Sequence, residues 1–276
     1  FNFMLKVLIH IMSIIINKQK YEVSGLNVKS WEDGISWIKY ITDKSPRVKS
    51  IKNIILHTHE GLSSKLLPGF GPNSTIDEAL ARYQVNTERQ VSWDYTVDLN
   101  GDVTCQNDPV INYSWQAGQF NPSSLGIEMI QQNKENIRYL YEGQLNQTVL
   151  LIDFLTASLG IQRQIAWKNG KPVLTQIKRV IDNNNFIGIL GHVNLTDQRS
   201  KHDPGSYIFE ALQVAGYECF DLETGEDLTV WKQRQKDLGI ENCDGIPGKQ
   251  TVSILKSKGY KNGLWVQRPI DSLLNF

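Results

Sequence analysis

Ser124-Leu125-Gly126-Ile127-Glu128-Met129-Ile130 is a short apolar run interrupted by a single carboxylate. A run of this length reads as a β-strand. Working outward, the same reading applies to NIILH (53–57), VSWDYTVD (91–98), DVTCQ (102–106) and FIGILGH (186–192). Leu99-Asn100-Gly101, between the second and third of these, is a turn signal that predicts a hairpin. Helical patterns separate the other runs. Thr75-Ile76-Asp77-Glu78 has the spacing of a capping box, in which hydroxyl and carboxylate satisfy free N–H groups at a helix start, and this helix is expected to reach about Thr87. Leu145, Val149, Ile152, Leu155 and Leu159 share one helical face, and Gly160 supplies the stop. Interleaved strands and helices from Asn53 to Leu212 make one α/β domain.

Composition excludes several classes. The 276 residues suffice for one medium domain plus a smaller one, or for a single enlarged domain, and an apolar share of 40% excludes a disordered or low-complexity chain. The 29 basic side chains balance 29 acidic ones, so no strongly basic face is expected for nucleic acid or anionic lipid. Three distant cysteines, Cys105, Cys219 and Cys243, argue against a disulfide framework or a four-thiolate zinc site. Residues 1–16, FNFMLKVLIHIMSIII, are the most apolar stretch. Lys6 and His10 interrupt it, it is shorter than the roughly 20 residues a bilayer span needs, and Asn17-Lys18-Gln19-Lys20 stand where a signal peptide would have a small-residue cleavage site. The expectation is a start at Met4 or Met12, no export signal, no stable membrane insertion, and a β-strand over 12–28.

After Gly216 the texture changes. Residues 219–227, CFDLETGED, are polar and aperiodic and read as a linker. Residues 230–240 read as a short helix, 243–248 as a turn and 249–259 as another helix.

Four features carry potential chemistry: His57 and His192 at the ends of apolar runs, Glu128 within one, and the loop Lys201-His202-Asp203-Pro204-Gly205. Singly, each has an ordinary structural explanation, as a hydrogen-bonded histidine, a half-exposed carboxylate, a turn or a solvated lysine. Together, two imidazoles and a carboxylate from separate segments form a three-ligand set that leaves one position of a zinc ion open to water. A carboxylate outside that set can serve as general base, and a lysine two residues before a ligating aspartate lies where an oxyanion develops.

At these residues the sequence resembles the zinc-dependent type-2 N-acetylmuramoyl-L-alanine amidases, which include phage endolysins, bacterial wall amidases and peptidoglycan recognition proteins. The matching pieces, in the family's order, are IILHTHEG (54–61), VSWDYTVDLNGDV (91–103), YSWQAG (113–118), SSLGIEM (123–129) and GHVNLTDQRSKHDPG (191–205). The resemblance implies a mixed central β-sheet flanked by helices, with Zn2+ held by His57, His192 and Asp203. It implies Glu128 as the general base, Lys201 steadying the oxyanion, and hydrolysis of the amide between N-acetylmuramic acid and L-alanine of peptidoglycan. Trp93, Tyr95 and Trp115 serve either as substrate contacts or as core aromatics. The chain departs from the family pattern at Thr58, where many members carry a second histidine, at Trp115-Gln116, where Trp-His is common, and in a longer loop from His192 to Asp203.

Residues 228–260 also resemble a small helical peptidoglycan-binding module, through VWKQRQ (230–235) and DGIPGKQT (244–251). The expected organisation is therefore an N-terminal segment of unassigned role (1–45), an amidase domain (46–218), a linker (219–227) and a helical module (228–276). A phage lysin of this kind would be made in the host cytoplasm and act at the cell wall. The competing readings are a recognition protein of the same fold that binds muropeptide without cleaving it, and a zinc hydrolase acting on another amide. Oligomeric state is not legible.

Overall fold

The computed structural model describes residues 13–41, 45–59, 76–134, 137–168, 170–178, 181, 186–199, 201–221, 228–243 and 249–258. In chain order the strands are β1 (Ile14–Ile16), β2 (Gln19–Tyr21), β3 (Val28–Ser30), β4 (Asn53–His59), β5 (Tyr95–Val97), β6 (Val103–Cys105), β7 (Ser124–Ile130), β8 (Gln132–Lys134), β9 (Ile137–Tyr139), β10 (Gln164–Lys168), β11 (Lys171–Pro172), β12 (Gly188–Gly191) and β13 (Glu218–Asp221). The helices are α1 (Ile76–Asn86), α2 (Glu142–Leu159), α3 (Tyr207–Val214), α4 (Leu228–Asp237) and α5 (Lys249–Ser257).

Nine strands make one mixed sheet in the order β11-β10-β12-β4-β7-β5-β6-β3, with β13 pairing β10. Its centre is the parallel pair β4–β7, in register from Asn53 opposite Ser124 to His59 opposite Ile130. Both strands are almost entirely buried, which is why they read as largely apolar runs and not as a strict apolar–polar alternation. Successive side chains alternate between the two faces. Ile54, Leu56, Leu125, Ile127 and Met129 pack on one face against Leu151, Ile152 and Leu155 of α2 and Ile208, Phe209 and Leu212 of α3. On the other face Ile55 and Leu190 meet Phe186 and Phe220, and Ile130 meets Ile76 and Leu80 of α1. This is the mixed sheet with flanking helices that the resemblance implies.

Local expectations are met at α2, which ends at Gly160, at the β5–β6 hairpin and at α1. Thr75 of the expected capping box lies outside the described residues. Three differences have physical causes. Residues 12–28 are not one strand: β1 and β2 form a hairpin whose turn, Asn17-Lys18, has φ of 51° and 64°. The Asp108 carboxylate accepts both turn N–H groups at 2.9 and 2.7 Å, which stabilises that backbone. Residues 219–221, within the expected linker, continue β13, whose register with β10 runs from Glu218 to Asp221. Of 91–98, only Tyr95–Val97 is strand: the Trp93 N–H goes to the Gln84 side chain at 2.7 Å, and at Asp94 the Gly126 N–H is taken by the Asp94 carboxylate at 2.7 Å in place of a backbone carbonyl.

Among the described residues of the tail, Leu238, Ile240 and Ile254 form a small apolar cluster joining α4 and α5. Residues 222–227, 244–248 and 259–276, which include the rest of the expected linker and turn, lie outside the described residues, as does the apolar stretch 1–12. No described helix is long and apolar enough to cross a membrane.

Candidate active site

The site lies at the carboxyl ends of β12, β4 and β7, where an open α/β sheet commonly receives its ligand. Register decides who meets whom. His57 lies beside Glu128 on β7, and Glu128 beside Thr96 on β5, so all three side chains leave the same face. Gly191 pairs with Leu56, and the next residue, His192, turns off the strand into a short 3-10 turn next to His57. Asn194 fixes that turn: its side-chain oxygen accepts from the Gly191 N–H at 2.8 Å, and its amide donates to the carbonyls of Val173 and Thr175.

Asp203 arrives from the loop that follows. The Val193 N–H donates to the Asp203 carbonyl at 3.0 Å and closes the loop base. Thr58 holds the loop from β4, its N–H donating to Asp203 Oδ1 at 3.0 Å and its hydroxyl to the His202 carbonyl at 2.6 Å. Pro204 packs on Gly191, where a Cβ would lie 2.4 Å from the proline ring, so a side chain at 191 would push this loop away.

The Nδ1 atoms of His57 and His192 are 3.0 Å apart, and His192 Nδ1 is 3.2 Å from Asp203 Oδ2. All three ligand atoms lie within 4.8 Å of one another. Ligand atoms of a tetrahedral zinc with bonds of 2.0–2.1 Å are about 3.3 Å apart, so the spacing fits after small adjustment. Protonation states also fit. Burial first, and then the neighbouring His192, hold the His57 imidazole below its ordinary pKa and favour the neutral ligand form. Burial works to raise the Asp203 carboxyl, but the His192 hydrogen bond, the two imidazoles and the Thr58 amide outweigh it and hold the group below its usual range.

A cavity of about 280 Å³ opens over this cluster, lined by His57, His192 and Asp203 together with Glu128, His59, Trp93, Arg89 and Arg199. Glu128 is nearly buried, and its Oε1 is 3.5 Å from His59 Nδ1. The other residues singled out from sequence are distributed differently. Trp93 lines the cavity while its indole N–H donates to Thr96 at 2.6 Å. Tyr95 is fully buried in the core on the opposite sheet face. Trp115 donates to Ser45 and does not line the cavity. Lys201 is exposed and outside the lining, whereas Arg199, with Nε 3.9 Å from Asp203 Oδ2, lies on the wall. Sequence reasoning missed Arg199, Thr58 and Gln116. Gln116 accepts from His57 Nε2 at 2.6 Å and had signalled itself only as a departure from the family pattern.

A family profile described as N-acetylmuramoyl-L-alanine amidase matches residues 47–206, more than half of the chain. The chain belongs to that family. As an amidase-family enzyme it carries the His-His-Asp cluster typical of the family's zinc site at His57, His192 and Asp203. Among similar solved structures, peptidoglycan recognition protein-LE in complex with tracheal cytotoxin is 16% identical, with 71% of the amidase and 97% of that chain covered and a TM-score of 0.44. The N-acetylmuramoyl-L-alanine amidase LysC from Clostridium intestinale is 14% identical, with 60% and 85% covered and a TM-score of 0.37. Drosophila peptidoglycan recognition protein SD is 16% identical, with 62% and 85% covered and a TM-score of 0.41. No curated protein sequence matches the amidase.

Proposed function

We propose that the protein cleaves the amide joining N-acetylmuramic acid to L-alanine in peptidoglycan, and that it serves as a phage endolysin, made in the host cytoplasm and acting at the cell wall. The observation that carries this reading is the convergence of two imidazole Nδ1 atoms and one carboxylate beneath a cavity whose wall includes Glu128. Zinc held by His57, His192 and Asp203 supplies a water acidified toward neutral pH and a polarised substrate carbonyl. Glu128 takes the proton of the attacking water and returns it to the leaving amine. The resemblance offers Lys201 as the cation that steadies the developing oxyanion, but Lys201 is exposed and outside the cavity lining, and Arg199 of the same loop, on the wall, is the cation proposed for that role. Trp93 contributes an apolar wall for the substrate. The tail helices, with an apolar cluster of their own, act as a wall-binding module that raises local concentration at an insoluble polymer.

The test is clearing of purified peptidoglycan, with release of L-alanine amino groups and no new reducing sugar ends. Clearing should stop with chelator and return with zinc. Co-sedimentation with the wall at constant turbidity would instead identify a recognition protein, and new reducing ends would identify a glycosidase. Lys201→Ala and Arg199→Ala, assayed in parallel, assign the oxyanion cation by whichever loses turnover.

A further inference from the structure

We infer that Gln116 is a positioning residue that sets which ring nitrogen of His57 faces the metal. The inference rests on the metal-centre reading above and names a residue that the ligand set does not include. Gln116 is buried against β7 and fits there only because residue 126 is glycine: a Cβ at Gly126 would lie 2.8 Å from Gln116 Cγ. Its backbone is pinned as well, since Asn121 Oδ1 accepts the N–H groups of Gln116 and Ala117 at 3.1 and 2.5 Å.

The side chain belongs to a directional relay. The Ser124 hydroxyl donates its single proton to the Phe120 carbonyl at 2.9 Å, so towards Gln116, 2.8 Å away, it can only accept. The amide NH2 therefore faces Ser124 and the amide oxygen faces His57. An amide oxygen only accepts, so the proton of neutral His57 resides on Nε2, 2.6 Å away. The lone pair then lies on Nδ1, the atom 3.0 Å from His192 Nδ1 in the ligand cluster. Groups that hold the second nitrogen of a metal-binding histidine fix both its tautomer and its ring orientation. An amide differs from a carboxylate or imidazole in this position because it does not titrate, so the Nε2–H tautomer is imposed at every working pH.

The test uses the full chain and two readouts besides turnover. Imidazole 15N shifts of the zinc-free protein should show His57 protonated on Nε2, and zinc affinity should be measured by competition with a chromophoric chelator. Gln116→Met keeps the approximate volume but removes the acceptor, and should weaken zinc binding about 10–100-fold while mixing the His57 tautomers. Gln116→Glu restores an acceptor and should bring affinity back to within about threefold of the parent. An Nδ1–H tautomer in the parent protein, or a Gln116→Met variant with unchanged shifts and affinity, would overturn the inference. A parent protein that takes up no zinc yet shows His57 protonated on Nε2 would sink the metal-centre reading alone.

Discussion

Asp98 offers a stability test that can be worked through from its surroundings. It follows β5, is almost wholly buried, and accepts the Leu99 N–H at 2.7 Å. Burial first, and then the charges of Asp77 and Asp102, outweigh Lys29 and the Leu99 amide and push its carboxyl from 3.8 up to about 7. The sign follows from proton counting. Between pH 4 and 7 the unfolded chain has released this proton while the native state still holds it, so stability falls as pH rises. One proton corresponds to at most about 1.4 kcal/mol per pH unit, or roughly 4 kcal/mol over the whole window. Asp98→Asn keeps the acceptor for Leu99 and removes the titration. Urea unfolding from pH 4 to 8 should therefore give matching stabilities near pH 4 and a variant more stable by a few kcal/mol at pH 8. Parallel curves across that range, with no gain at pH 8, would refute the assignment.

Three further outcomes are expected. Glu128→Gln should lower turnover about 100- to 10,000-fold while zinc content, read by metal analysis, stays at the parent level. Thr58→Val keeps the N–H that holds Asp203 but removes the hydroxyl bond to the His202 carbonyl, and should cost about 1 kcal/mol in chemical denaturation. Arg47 donates to the carbonyls of Pro109, Pro122 and Ser124, tying the segment before β7 to the 109 loop, so Arg47→Met should lower the urea midpoint by the equivalent of roughly 3 kcal/mol.

Much of the site was legible because its ligands end buried strands. NIILH and GILGH each finish an apolar run with an imidazole, and SLGIEMI places a carboxylate among residues that otherwise have no reason to carry charge. What the sequence could not supply was register. That Glu128 lies beside His57 depends on how β4 and β7 align, and neither strand states this alone. The aromatics show the same limit: Tyr95 and Thr96 are neighbours in sequence, yet only Thr96 shares a face with Glu128. Gln116 was unreadable because an uncharged amide has no chemical signature until its partners are known. The last three residues of β13, 219–221, read as linker because they lead into a polar, aperiodic stretch, and a strand that short gains its stability from the sheet it joins.

The sheet does not begin where the family profile begins. Val28–Ser30 borders it by pairing with Val103–Cys105, and Ile14, Ile16, Leu26 and Val28 fill the core beneath. Trimming the protein to a minimal lytic fragment from residue 47 onward would leave the outward-facing edge of Val103–Cys105 without its β3 partner, with only β5 still paired on the other side, and would uncover that greasy patch. The product would carry a full set of metal ligands on a body prone to edge-to-edge association. Poor solubility of such a fragment would then report a missing border, and would say nothing against the chemistry at its centre.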